Sequence, residues 1–303
     1  MNSILSRRDL LRQAALAAAA VGLPAPLRAL QWEDPDQAHL TDWVTRLRTE
    51  GLTGADLPFG RCAVRVGEFA AGSPYQPGTL DAYIRSGGSP TATEPLTLSL
   101  SRFDCVTLVE SCIAVGRVAG ASGKPTWQRF GREVERMRYR GGRRRGYTSR
   151  LHYFSEWISD GEGRSLVRNL GRELGGVEDA RPLRFMTEHR SSYPALSDDR
   201  VFRDIESMEH RLDGAPRWMV PTPRIPEIAD RIETGDVLGF ATAIPGLDVT
   251  HAAFAYRHRE GSLRVLHAPL SGGVVEVARA TLLEYVAAIH RATGILVARP
   301  LRG

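Results

Sequence analysis

Gly235-Asp236-Val237-Leu238-Gly239-Phe240-Ala241 is the stretch at which the chain changes its local pattern. Before it, apolar residues recur at helical spacing; from it onward they come in short runs broken by turn residues. Residues 236–241, 251–256, 263–269 and 274–277 read as strands, and 295–298 as a closing strand after a last helix at 281–292. Upstream, helical spacing covers 36–50, with Leu40, Trp43, Val44 and Leu47 on one face, then 59–71, 104–118, 125–138, 149–161 and 199–212. Helices first and an antiparallel sheet afterwards predict an α+β fold. Residues 72–97 read as a long connection with a short helical piece at 80–84, in the manner of a lid or a site wall. Pro221, Pro223 and Pro226 read as a semi-rigid connection.

The chain has 303 residues, 42% of them hydrophobic, which suits a globular protein. Its first segment differs. Ser6-Arg7-Arg8-Asp9-Leu10-Leu11-Arg12 carries a twin arginine, an alanine-rich run follows over 14–23, and Leu27-Arg28-Ala29 ends in a small residue. Residues 1–29 therefore read as a twin-arginine export signal, and 30–303 as a single domain. Retention of the signal as an uncleaved anchor is the alternative. The run is too short and mild to span a bilayer, so no stable membrane insertion is expected after signal removal. The expected location is the periplasm or beyond. Three cysteines in an oxidising compartment leave at least one unpaired. The net charge of +5 is carried by arginine, with Lys124 the one lysine. A basic surface suits an anionic wall polymer or nucleic acid. No nucleic-acid module accompanies it, so nucleic acid is not expected as a partner.

The chemistry is sought in Leu98-Ser99-Leu100-Ser101-Arg102-Phe103-Asp104-Cys105-Val106-Thr107-Leu108-Val109-Glu110. Ser101 or Asp104 can cap a helix, which puts Cys105 in the first turn, where the helix dipole favours a thiolate. Cys62 and Cys112 fall within helical stretches and read as core thiols. Of eight histidines, His251 and His267 flank the turn His258-Arg259-Glu260-Gly261 on successive strands. A loop over 257–261 sets His251 opposite His267, facing the same way as Ala253 and Ala255, where the Cys105 helix could approach. A thiol nucleophile, an imidazole base and a third group that orients the base make an acyl-transfer centre. Cys105, His251 and His267 fit those roles in that order. Zinc is the competing use of such residues, but no short Cys-x-x-Cys or His-x-x-x-His pair is present, and no metal or cofactor is expected. Arg138-Tyr139-Arg140-Gly141-Gly142-Arg143-Arg144-Arg145-Gly146-Tyr147 is either a solvated basic loop or a clamp for carboxylates.

These residues carry a resemblance. Phe103-Asp104-Cys105-Val106-Thr107-Leu108-Val109-Glu110, Gly146-Tyr147-Thr148-Ser149-Arg150-Leu151-His152-Tyr153, Gly235-Asp236-Val237-Leu238, Gly246-Leu247-Asp248-Val249-Thr250-His251 and Leu266-His267-Ala268 stand in an order that resembles the N-acetylmuramoyl-L-alanine-amidase-like family of NlpC-type, papain-like cell-wall cysteine peptidases. The likeness runs from about residue 60 to the C-terminus. It implies a circularly permuted papain-like α+β fold, with Cys105 as nucleophile, His251 as general base and His267 as orienting residue. It also implies that Tyr147, Arg150 and Tyr153 face substrate. Where the family has Ser or Thr after the last His-Ala, this chain has Pro269. The implied partner is peptidoglycan or a muropeptide. The bond cut is the amide between N-acetylmuramic acid and L-alanine or the γ-D-glutamyl–diaminopimelate bond, the first ranked higher. A non-catalytic wall-binding module is the reading from a different class. The backbone N–H of Cys105, free at a helix start, is the expected oxyanion donor.

Overall fold

A computed structural model describes residues 34–269 and 273–303; the export-signal reading at 1–29 lies outside the described residues. The longer helices are α1 (Pro35–Thr49), α2 (Phe59–Phe69), α3 (Cys105–Gly120), α4 (Trp127–Arg138), α5 (Phe154–Gly163), α6 (Asp199–Leu212) and α7 (Leu282–Ala288). The strands are β1 (Val167–Asn169), β2 (Val177–Glu178), β3 (Trp218–Pro221), β4 (Val237–Thr242), β5 (Val249–Arg257), β6 (Leu263–His267), β7 (Glu276–Val277) and β8 (Ala292–Pro300). Among the described residues, no helix is long and apolar enough to cross a membrane.

Mixed helix and antiparallel sheet make this an α+β fold, with the helices largely first, as the residue pattern predicts. The sheet runs β2-β3-β8-β4-β5-β6-β7, with β1 also paired to β8. The three strands before Gly235 were not anticipated. They are two to four residues long, too short for alternation to register. One of them, β3, absorbs Pro221, so the expected proline-rich connection is instead a strand paired to β2 and β8 and followed by short helical turns. The helix expected from 149 begins at Phe154, because residues 147–149 form a separate 3-10 turn.

Helix α3 is the pivot of the helical layer. Asp104 accepts from Thr107 N at 2.8 Å while Thr107 Oγ1 accepts from Asp104 N at 2.8 Å, a reciprocal cap that fixes where the helix starts. From Thr107 to Ala119 every residue is buried, as expected of a helix surrounded by protein. One core joins α1 to α5 with Ala252, Phe254, Leu266 and Ala298 on one face of the sheet. A second core lies on the opposite face, where Leu238, Phe240, Ala253, Ala255 and Val265 meet Ile225, Ile228, Leu282 and Val286. The Cys105 helix therefore packs on the Ala252 and Phe254 face, not on Ala253 and Ala255 as expected. Central strands buried on both faces carry no polar alternation to tell one face from the other.

Gly235 holds the two layers at close range. Its φ is +94°, and a Cβ there would lie 2.1 Å from the Gly60 carbonyl oxygen at the start of α2.

Candidate active site

Cys105 is the first residue of α3, and its neighbours are set by the end of a strand ladder. Pairing of β5 with β6 runs from Arg257↔Leu263 to Phe254↔Leu266 and stops. Alternation of antiparallel bonds turns the Ala252 N–H toward this vacated side. The Cys105 sulfur lies against that N–H, and against the N–H groups of Val106 and Cys105 itself, all of which lower its pKa. Burial raises it more, and the Asp104 charge adds to the rise, so the thiol is pushed up to about 12. The expected thiolate is thus replaced by a neutral thiol: the desolvation of a buried charge outweighs a helix dipole.

The histidines meet, though not through the expected register. The turn occupies 258–262, closed by His258 N donating to Ser262 O at 2.9 Å, and Arg257 still pairs with Leu263. This slides the strands by two residues, which makes His251 and His267 diagonal neighbours and keeps them on one face. Their rings are joined, His251 Nε2 to His267 Nδ1, at 3.0 Å. Phe240 stacks on His251 with centroids 5.6 Å apart. Burial lowers His251 to about 3 and His267 to about 4, so both are neutral at pH 7. Among the described residues, His251 Nδ1 is buried and has no hydrogen-bond partner. Cys105 and His251 line a common pocket of about 120 Å³, with Val106, Leu151, His152 and Leu247 among its walls. Among the described residues, no three His, Cys, Asp or Glu side chains gather into a metal-holding group.

The three residues expected to face substrate are instead turned into the protein. Arg150 is buried and spends its guanidinium on Glu94 at 2.5 Å, Asp81 at 2.8 Å and the Leu80 carbonyl at 2.6 Å. Tyr147 is buried beneath it, 4.9 Å from guanidinium to ring centroid. Tyr153 donates to the buried Glu209 at 2.6 Å. Their physical work is to fasten the segment that presents Leu151 and His152 to the pocket. The arginine-rich loop is likewise drawn inward: Arg138 pairs with Glu110 at 2.7 Å and Arg140 with Glu156 at 2.6 Å. Arg143 and Arg145 stay exposed.

Cys62 and Cys112 are buried thiols, as read from their helical positions, and all three cysteines are free. Three site neighbours escaped the sequence reading. His152 was one of the six histidines given no role. Tyr75 stood in the 72–97 connection, read as a lid or site wall without any residue singled out; burial, and then its neighbours Cys105 and Asp104, raise its phenol pKa. Tyr285 lies on α7 with its hydroxyl 3.0 Å from His267 Nδ1. No local signal distinguishes that tyrosine, because only the packing of α7 under the sheet brings it to the histidines.

Comparison with known proteins bears on the class. A family profile described as AmiA-like, N-acetylmuramoyl-L-alanine amidase-like, matches residues 65–295. The chain belongs to that family. Among solved structures, an N-acetylmuramoyl-L-alanine amidase from Bacteroides uniformis is similar at TM-score 0.72 and 27% identity, over 80% of this chain and 99% of that one. A Bacteroides fragilis protein with the working name of a xylanase is similar at TM-score 0.69 and 30% identity, over 77% and 98%. The protein LPG0564 of Legionella pneumophila, at 16% identity and TM-score 0.62 over 88% and 94%, shares the fold. Comparison with curated proteins finds no match.

Proposed function

We propose that this protein is an exported cysteine hydrolase that cleaves the amide between N-acetylmuramic acid and L-alanine in peptidoglycan or muropeptides. One observation carries the chemistry: His251 is held by His267 through Nε2, its Nδ1 is buried without a partner, and it shares a pocket with Cys105. In this reading the Cys105 thiol passes its proton to His251 Nδ1 as sulfur attacks the carbonyl carbon. The resulting oxyanion is met by the free N–H of Cys105 at the start of α3. The tetrahedral intermediate collapses with loss of the amine, which takes the proton from His251. Water, deprotonated by the same imidazole, then hydrolyses the thioester and restores the thiol. His267 orients His251.

A nucleophile candidate at the tip of a buried helix, with imidazoles on strands packed against it, also supports the circularly permuted papain-like arrangement. The family and the Bacteroides uniformis relative support the choice of bond. The twin-arginine segment supports a periplasmic or otherwise exported location, where that polymer lies.

Mass spectrometry of defined muropeptides tests this. The wild-type protein is expected to release a stem peptide beginning with L-alanine, and Cys105→Ala to leave the substrate intact. Cleavage by the Cys105→Ala variant would overturn the nucleophile. A cut between D-glutamate and diaminopimelate would assign the endopeptidase reaction instead.

A further inference from the structure

The Tyr285 hydroxyl lies 3.0 Å from His267 Nδ1, the atom that also lies 3.0 Å from His251 Nε2. A neutral imidazole nitrogen offers either one lone pair or one hydrogen, so two neighbours at that range constrain its state. On the other side of the ring, Glu276 pairs with His267 across β6 and β7 and holds Oε1 4.0 Å from Nε2. A carboxylate only accepts, so its charge favours a hydrogen on Nε2. Burial pushes the Tyr285 phenol above its ordinary range, so it keeps its proton and can donate. Both flanking groups select one tautomer, with Nε2 protonated and Nδ1 bare. Two lone pairs 3.0 Å apart repel, so His251 Nε2 must then carry its own hydrogen. A neutral imidazole has one such hydrogen. The bare nitrogen of His251 is therefore Nδ1, the buried atom without a partner.

We infer that Tyr285 is a positioning residue whose hydroxyl, together with the Glu276 carboxylate, fixes the tautomer of His267 and through it leaves His251 Nδ1 bare to accept the Cys105 proton. The inference rests on His251 acting as the base. The Tyr285 ring itself is placed by packing, 5.2 Å from Phe240 and edge-on to His267 at 5.0 Å. Phenylalanine keeps those contacts and removes only the hydroxyl.

The groups that face His267 are His251 from β5, Glu276 from β7 and Tyr285 from α7, with Cys105 close enough to raise the Tyr285 pKa. Tyr285→Phe removes a donor to the neutral ring, so His267 protonates more readily and the acid limb of the kcat profile moves to higher pH. Glu276→Gln removes a charge that favours the protonated ring, so that limb moves to lower pH. In Tyr285→Phe, kcat is expected to fall about tenfold with KM within about twofold of wild type. Histidine ¹⁵N shifts, which separate bare from protonated nitrogens, are expected to show His267 Nδ1 bare in the wild type and a mixture of tautomers in Tyr285→Phe. An unchanged tautomer in that variant overturns the inference whatever the rate. Should the wild type cleave no amide, the functional reading fails alone, and the ¹⁵N measurement still decides this one.

Discussion

Cys105 is pulled in two directions by its position. The helix start and three backbone N–H groups favour a thiolate, while burial and the Asp104 charge favour the thiol, and the thiol prevails at a pKa of about 12. In the proposed mechanism its proton therefore leaves during attack and not before it, so that a bare imidazole nitrogen matters more than a standing ion pair. The free enzyme should accordingly react with iodoacetamide at a rate that climbs about tenfold per pH unit from neutrality to pH 10. Peptide-resolved mass spectrometry would follow the modification, and a plateau below pH 8 would reveal a resting thiolate. Cys62 and Cys112, fully buried, should stay unmodified until the protein unfolds.

At the scale of elements, buried ion pairs hold the long connection over 72–97 to the body. Glu94 is 2% exposed and accepts from Arg150 and from Tyr139, the latter at 2.8 Å. Gly72 and Tyr75 are tied to the strand region around Val275 by backbone bonds of 2.9 Å. The connection is thus pinned at both ends of its path. Arg150→Ala would strand the Glu94 carboxylate without its cation, at a cost of about 3–5 kcal/mol. The expected result is a lowered urea midpoint, where a residue contacting only substrate would raise KM and leave stability alone.

For the whole molecule, the sheet with a packed layer on each face is what makes the histidines so hard to protonate. His251 and His267 sit at about 3 and 4 in the folded protein against 6.5 for the ordinary side chain. As pH falls below 6.5 the unfolded chain takes up protons that the folded one refuses. The stability these groups contribute is complete above about pH 7 and drains away as pH falls toward 4. Two such protons give a slope of about 3 kcal/mol per pH unit, to which His152, lowered in the same direction by burial, adds. Carboxylates held low by arginine, such as Asp179 and Asp213, act only further into acid. Urea unfolding at pH 7, 6 and 5 should show the slope, and His251→Gln should reduce it by about 1.4 kcal/mol per pH unit.

What the residues alone determined is local. The Asp104–Thr107 cap, the apolar stripes of α1 and α6, the turn at Gly261 and the strand runs after Gly235 all act over a few positions, so α+β order and a helix-start cysteine were legible. The pairing of two histidines on one face was legible too, since a shift of two residues preserves the face. Only the tertiary structure decided which face of the sheet the Cys105 helix covers, because both faces are apolar. It alone turned Arg150, Tyr147 and Tyr153 inward, because the carboxylates that claim Arg150 and Tyr153 lie 56 to 69 residues away along the chain. It also brought Tyr285 beneath His267. Burial, which sets every pKa at this site, is a sum over distant neighbours, and no stretch of sequence contains that sum.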